Sequence, residues 1–163
     1  MKDTLNIAEP VIQAQGVDLV FQTGDGPVHA LKDVSLTINR GDFVSFIGPS
    51  GCGKTTFLRT IAGLETPTGG QLSVNGLSPD AARRARAYGY VFQAAGLYPW
   101  RTIAGNIKLP LEIMGFSRAE QAERVERVLK LVDLEGFGRK FPWQLSGGMQ
   151  QRASIARALA FDA

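Results

Sequence analysis

Cysteine and histidine are nearly missing from this chain of 163 residues: each occurs once, as Cys52 and His29. A single thiol permits no internal disulfide and suits a reducing compartment. Long apolar runs are lacking as well. The uncharged stretch Thr66–Pro79 is filled with Thr, Gly, Ser and Asn, and it falls short of the ~20 mostly apolar residues that a spanning helix needs. Met1–Asn6 has no apolar segment behind a basic start, so it does not read as a secretory signal. An excess of one charge is lacking too. Eighteen Lys and Arg face fifteen Asp and Glu, a net charge of +3. That balance suits phosphate ligands or an anionic membrane face and requires neither. There is no internal repeat, no low-complexity tract and no Pro- or Ser-rich linker. What remains, 44% hydrophobic and 20% charged, is the composition of a globular domain with a real core.

Val11–Phe21 and Val28–Ile38 are rich in Val, Ile, Leu and Phe and read as strands. Gln22–Pro27 between them carries hairpin chemistry. Asp42–Ile47 reads as a short apolar strand, with Gly70–Val74 and Tyr88–Phe92 as further strands. A helix is expected from about Lys54 to Ala62, closed by Gly63. Helical spacing takes over from Thr102. Ser117 and Glu120 have capping-box spacing, and Ala122, Val125, Val128, Leu129 and Val132 follow at helical intervals. Arg118, Arg124, Arg127 and Lys130 then form a solvated polar face. A last helix is expected from about Gly148 to Phe161. The order of elements predicts a mixed α/β architecture with a helical insertion.

Gly48-Pro49-Ser50-Gly51-Cys52-Gly53-Lys54-Thr55 fits the phosphate-loop pattern G-x-x-x-x-G-K-[ST] throughout. A triphosphate needs hydrogen-bond donors from many directions, and backbone N–H groups supply them when the chain wraps closely around it. Glycines permit the necessary φ angles. Lys54 reaches the β- and γ-phosphates, Thr55 offers a hydroxyl to Mg²⁺, and the following helix adds the positive end of its dipole. By itself this motif means a nucleotide binder of unspecified kind.

Leu145-Ser146-Gly147-Gly148-Met149-Gln150-Gln151-Arg152 narrows the field, because it closely resembles the signature sequence of ATP-binding cassette (ABC) ATPases. A serine and two glycines at a helix start direct free N–H groups and a hydroxyl at one spot. In that family the motif completes the nucleotide site of a second subunit, the two subunits pairing head to tail around two ATP molecules. The resemblance runs from about Val11 to Ala160. It implies a P-loop NTPase of ABC type, with an N-terminal antiparallel β subdomain, a partial RecA-like core and a helical subdomain over about 96–146. Residues 1–163 are thus expected to form part of one nucleotide-binding domain. The resemblance makes Gln93 the glutamine that approaches Mg²⁺ and the attacking water, so that Lys54 and Gln93 are the catalytic candidates and Thr55 and Gln93 the metal candidates. It places Phe21 against adenine and Thr56 near the α-phosphate, with Ser146, Gly147, Gly148 and Gln150 contacting the partner's nucleotide. Cys52 is one of the small residues common within this loop.

The segment Gly96–Thr102, with Asn106 beyond it, is similar to that of import ATPases for nitrate, sulfonates and taurine, although Tyr98 stands where many of these have Leu. The resemblance implies a transmembrane permease as partner, with Trp100 on the face toward it, and an indirect link to an extracytoplasmic substrate-binding protein. It implies a peripheral position on the cytoplasmic face of the inner or plasma membrane, and no nucleic acid. Soluble ABC-type ATPases of DNA repair or translation are the main rival reading. The repair relatives carry a long coiled coil between the glutamine and the signature, whereas the stretch from Gln93 to Ser146 has no sustained heptads. A non-catalytic nucleotide-binding module is the other rival. The family's next elements are a Walker B strand ending in Asp-Glu, a dimer-contact D-loop and a switch histidine. None lies within these residues: Asp162 follows no strand, and His29 sits in the hairpin as a surface residue. Weak or absent hydrolysis is therefore expected of the isolated chain.

Overall fold

A computed structural model describes residues 9–162. They divide into two compact units, one ending at Tyr88 and the other starting at Gly89.

The first unit is built on an antiparallel sheet. Strands β1 (Pro10–Thr23) and β2 (Gly26–Asn39) form the expected hairpin. Thr23 pairs with Gly26, and the Thr23 hydroxyl donates to the Gly26 carbonyl at 2.7 Å, closing the turn. Strand β3 (Gly69–Val74) lies antiparallel on the other side of β1, giving the order β2-β1-β3. Alternation along β1 sends Val17 and Leu19 inward, where they meet Leu31, Val74 and the buried residues Phe57 and Ile61 of helix α1 (Lys54–Ile61). A further short helix, α2 (Pro79–Arg84), starts at Ser78, whose hydroxyl accepts from the Ala81 N–H, and it buries Ala82 in the same core.

Two expected strands do not form. Residues 42–47 and 88–92 run as irregular chain and, among the described residues, belong to no strand ladder. Their apolar side chains match the expectation, but a strand needs a neighbour to satisfy its N–H and C=O groups. Phe43 and Ile47 are each 95% exposed, so 42–47 presents a sheet-like sequence with nothing paired beside it. Of the RecA-like core, the phosphate loop and α1 are formed.

The second unit is helical: α3 (Ile103–Ile113), α4 (Arg118–Leu131) and α5 (Gly147–Leu159). Each opens on a side-chain cap. Thr102 accepts from the Gly105 N–H, Ser117 and Glu120 form the expected capping box, and Ser146 accepts from the Met149 N–H. Ile103, Ile107 and Leu111 on α3 pack with Val125, Val128 and Leu129 on α4 and with Ala153 and Ala156 on α5. The α4 pattern departs from expectation at one place. Ala122 is exposed, and Gln121 is buried in the adjacent position with its amide donating to the Phe116 carbonyl at 2.7 Å. On the polar face of α4, Arg118, Arg127 and Lys130 are exposed as expected, whereas Arg124 is half-buried. Arg124 stacks over the Phe116 ring at 4.5 Å, and Arg124 and Arg127 both grip Asp162, at 2.5 and 2.6 Å. His29 is exposed, as expected.

Candidate functional site

The phosphate loop closes on itself through its own lysine. Lys54 Nζ donates to the carbonyls of Gly48 at 2.9 Å and Pro49 at 2.6 Å, and lies 3.3 Å from Cys52 Sγ. Among the described residues it has no carboxylate partner. Its charge is therefore held by neutral dipoles and is free to meet an anion. Gly51 and Gly53 have φ of 81° and 92°, the left-handed region that a side chain disfavours. Gly53 is constrained twice, because a Cβ there would stand 2.7 Å from the Ala30 carbonyl oxygen of β2. The loop is thereby pressed against the hairpin, while Phe57 meets Phe46 edge-on at 5.7 Å beneath it.

Helix α1 differs from α2–α5 in one respect that matters chemically. Its N-cap is Gly53, and no side chain caps it, whereas Ser78, Thr102, Ser117 and Ser146 cap the others. The first-turn N–H groups of α1 are left to an external acceptor. Thr55 is exposed at this end and Thr56 is half-buried. An uncapped helix start, an ammonium without a carboxylate and an exposed hydroxyl fit a polyphosphate. The metal fit is narrower. Among the described residues no group of three or more His, Cys, Asp or Glu side chains assembles. Mg²⁺ would be held through Thr55 and the phosphates themselves, as this ion commonly is. Phe21, on β1 in the same unit, is 38% exposed, which leaves ring surface for stacking.

The remaining candidates lie in the second unit. Gln93 sits in an exposed bend, and among the described residues its side chain makes no hydrogen bond. Ser146 caps α5 at 3.3 Å from the Met149 nitrogen. Gly147 and Gly148 follow as the first two residues of α5, where glycine is disfavoured relative to Ala by less than the ~1 kcal/mol of a helix interior. A Cβ at either would meet nothing within 4 Å. Among the described residues, no packing requires glycine at either position. Gln150 is not free, since its amide donates to the Leu145 carbonyl at 3.1 Å. It braces the motif internally.

From within α3, the fully buried Asn106 holds the segment 98–102 that precedes the helix. Its Oδ1 accepts from the Tyr98 N–H at 2.7 Å, and its Nδ2 donates to the carbonyls of Tyr98, Arg101 and Thr102 at 3.1, 3.0 and 3.0 Å. The segment presents Trp100, 71% exposed, with Tyr98 beside it at 5.0 Å. Trp143, two positions before Leu145, is equally exposed and stacks on Phe141. Neither tryptophan is core. Two residues beside a candidate escaped the sequence reading: Gln151 and Arg157 of α5 bond to the backbone around Gln93. Polar residues at helical spacing gave no sign of a partner so far back in the chain.

The sequence model of the ABC transporter family matches residues 31–163. This chain belongs to the ABC transporter family. The taurine import ATP-binding protein TauB of Pelagibacter ubique is 43% identical over 150 residues, covering 91% of this chain and 56% of the relative. A sulfate/thiosulfate import ATP-binding protein, CysA of a Synechocystis strain, is 49% identical over 138 residues, covering 83% and 38%. Among solved structures, the dimeric ATP-binding cassette MJ0796 bound to ADP and Pi, in a post-hydrolysis state, superposes with a TM-score of 0.81 at 39% identity. It covers 91% of this chain and 69% of that one. The ABC chain thus spans about half the length of the curated relatives it matches, and its fold is that of a partial ABC cassette. Among the described residues no helix is long and apolar enough to cross a membrane.

Proposed function

We propose that this chain is the ATP-binding part of an import ATPase subunit that couples ATP binding and hydrolysis to uptake of a small anion such as nitrate, a sulfonate or taurine. The observation that carries the reading is the start of α1: a helix with no side-chain cap, entered through two positive-φ glycines and overhung by a lysine with only neutral partners. Residues 1–163 are assigned to one nucleotide-binding domain with its helical subdomain over about 96–146. Lys54 and the N–H groups of 51–56 hold the phosphates, Thr55 and Gln93 serve Mg²⁺, and Phe21 stacks on the base. For the 163 residues alone the proposal is binding of Mg-ATP without efficient hydrolysis.

The open space over Gly147 and Gly148 supports a second ATPase subunit closing on that helix start, as does the dimeric state of MJ0796. The import half of the reading draws on relatives named for taurine, methionine and sulfate/thiosulfate import, two of these three cargoes being sulfur oxyanions. The partners proposed are a permease, met by the exposed face around Trp100 at the cytoplasmic side of the membrane, and through it an extracytoplasmic substrate-binding protein. Calorimetry with Mg-ATP tests the site. Binding is expected in the wild type and a loss of at least about tenfold in Lys54→Ala, the scale of one charge-assisted hydrogen bond. Equal binding by Lys54→Ala would overturn the assignment.

A further inference from the structure

Helix α5 grips the Gln93 turn from both sides. Gln151 Nε2 donates to the Phe92 carbonyl at 3.2 Å, one residue before Gln93. Almost two turns further along the helix, Arg157 donates to the Gly96 carbonyl at 2.8 Å and the Ala95 carbonyl at 3.1 Å. Its guanidinium also reaches Ser154 Oγ at 3.4 Å. Upstream, the chain passes so close to α5 that a Cβ on Gly89 would stand 2.6 Å from the Ala158 carbonyl oxygen. Backbone is thus held by hydrogen bonds at 92, 95 and 96 and closely approached at 89, and Gln93 and Ala94 form the crown between.

Two features mark this as more than packing. The guanidinium spans two successive carbonyls, a forked contact that a lysine does not reproduce. Burial lowers its pKa from the ordinary arginine value, so the group is drawn inward against a desolvation cost. The crown itself is left unengaged, since Gln93 is exposed and, among the described residues, without a side-chain hydrogen bond. The same α5 begins at Ser146-Gly147-Gly148.

We infer that Gln151 and Arg157 are positioning residues that set Gln93 through its backbone, making the Gln93 turn and the glycine-rich start of α5 one rigid piece. The inference rests on the reading of Gln93 as a group on the Mg²⁺ side of an ATP site.

The test is a comparison of ATP affinity in EDTA with ATP affinity in Mg²⁺, measured on the whole chain. The variants are Gln151→Leu, Arg157→Lys, Gln93→Ala and the double Gln93→Ala/Arg157→Lys. The gain in affinity on adding Mg²⁺ is expected to fall about fivefold in Gln151→Leu and in Arg157→Lys, the scale of one or two hydrogen bonds. Affinity in EDTA stays at the wild-type value in both. The double variant behaves as Gln93→Ala alone, because the holds act only through Gln93. An undiminished Mg²⁺ gain in folded variants, an equal loss in EDTA, or losses that multiply in the double variant would overturn the inference. Gln151 is half-exposed, so its variant decides the matter should Arg157→Lys fail to fold. A wild type that does not bind ATP, or binds it independently of Lys54, defeats the nucleotide-site reading instead, and the inference falls with it.

Discussion

Replacing Asn106 should unfasten the segment that carries Tyr98 and Trp100. Four hydrogen bonds converge on this fully buried amide. Two of its partners keep another bond when it is removed: the Tyr98 carbonyl also accepts from Arg101 N at 3.1 Å, and the Thr102 carbonyl from Asn106 N itself at 2.8 Å. Asn106→Ala therefore orphans two groups, the Tyr98 N–H and the Arg101 carbonyl. At about 1–3 kcal/mol per orphaned group, less the relief from water at the half-exposed segment, the loss should be about 2–3 kcal/mol. For a unit of this size each kcal/mol lowers the melting temperature by roughly 4–8 °C, so a fall of at least about 8 °C is expected. Circular dichroism at the helix band reads it, since α3–α5 hold most of the helix. Asn106→Asp adds a sign. The introduced carboxyl still accepts from Tyr98 N but, when ionised, faces three carbonyl oxygens with no hydrogen to offer. Its folded pKa is raised above the ordinary carboxylate range. The variant is accordingly most stable below the unfolded pKa of about 4, and it loses stability as pH rises through the raised value. A loss under about 0.5 kcal/mol for Asn106→Ala, or a wild-type melt at pH 7 for Asn106→Asp, would refute the reasoning.

Gly53→Ala should abolish ATP binding in calorimetry and lower stability more than Gly51→Ala. Both positions carry the left-handed cost of about 1–2 kcal/mol, but only Gly53 also meets the Ala30 carbonyl. Gly148→Ala should raise the melting temperature slightly, the gain in helix propensity staying under about 1 kcal/mol, while weakening nucleotide-dependent association with a second copy in sedimentation experiments. Asp162 has its pKa lowered, first by the hydrogen bond from Arg127 and then by that from Arg124. Its stabilising contribution is present above the ordinary carboxylate pKa and lost as pH falls through the lowered one. Asp162→Asn should therefore flatten the acid limb of the stability profile, a result that chemical denaturation at pH 7 and pH 3 reads directly.

What the sequence by itself determined is what interactions over a few residues determine. The helix start at Lys54, the capping box at Ser117, the serine-led start of α5 and the hairpin between β1 and β2 each depend on neighbours within a turn or so of chain, and each formed where it was read. Other matters were decided by neighbours from elsewhere. Residues 42–47 and 88–92 have the composition of strands, but pairing supplies a strand's hydrogen bonds, and among the described residues no partner adjoins them. The inward turn of Gln121 in place of Ala122 was settled by the bundle core, which fixes the rotation of α4 more finely than an apolar count does. The grip of Gln151 and Arg157 on the Gln93 turn spans 59 to 62 positions. Nothing local in either stretch announces it, because its acceptors are backbone carbonyls that every residue possesses. Only the packing of α5 against that turn brings donor and acceptor within 3.2 Å.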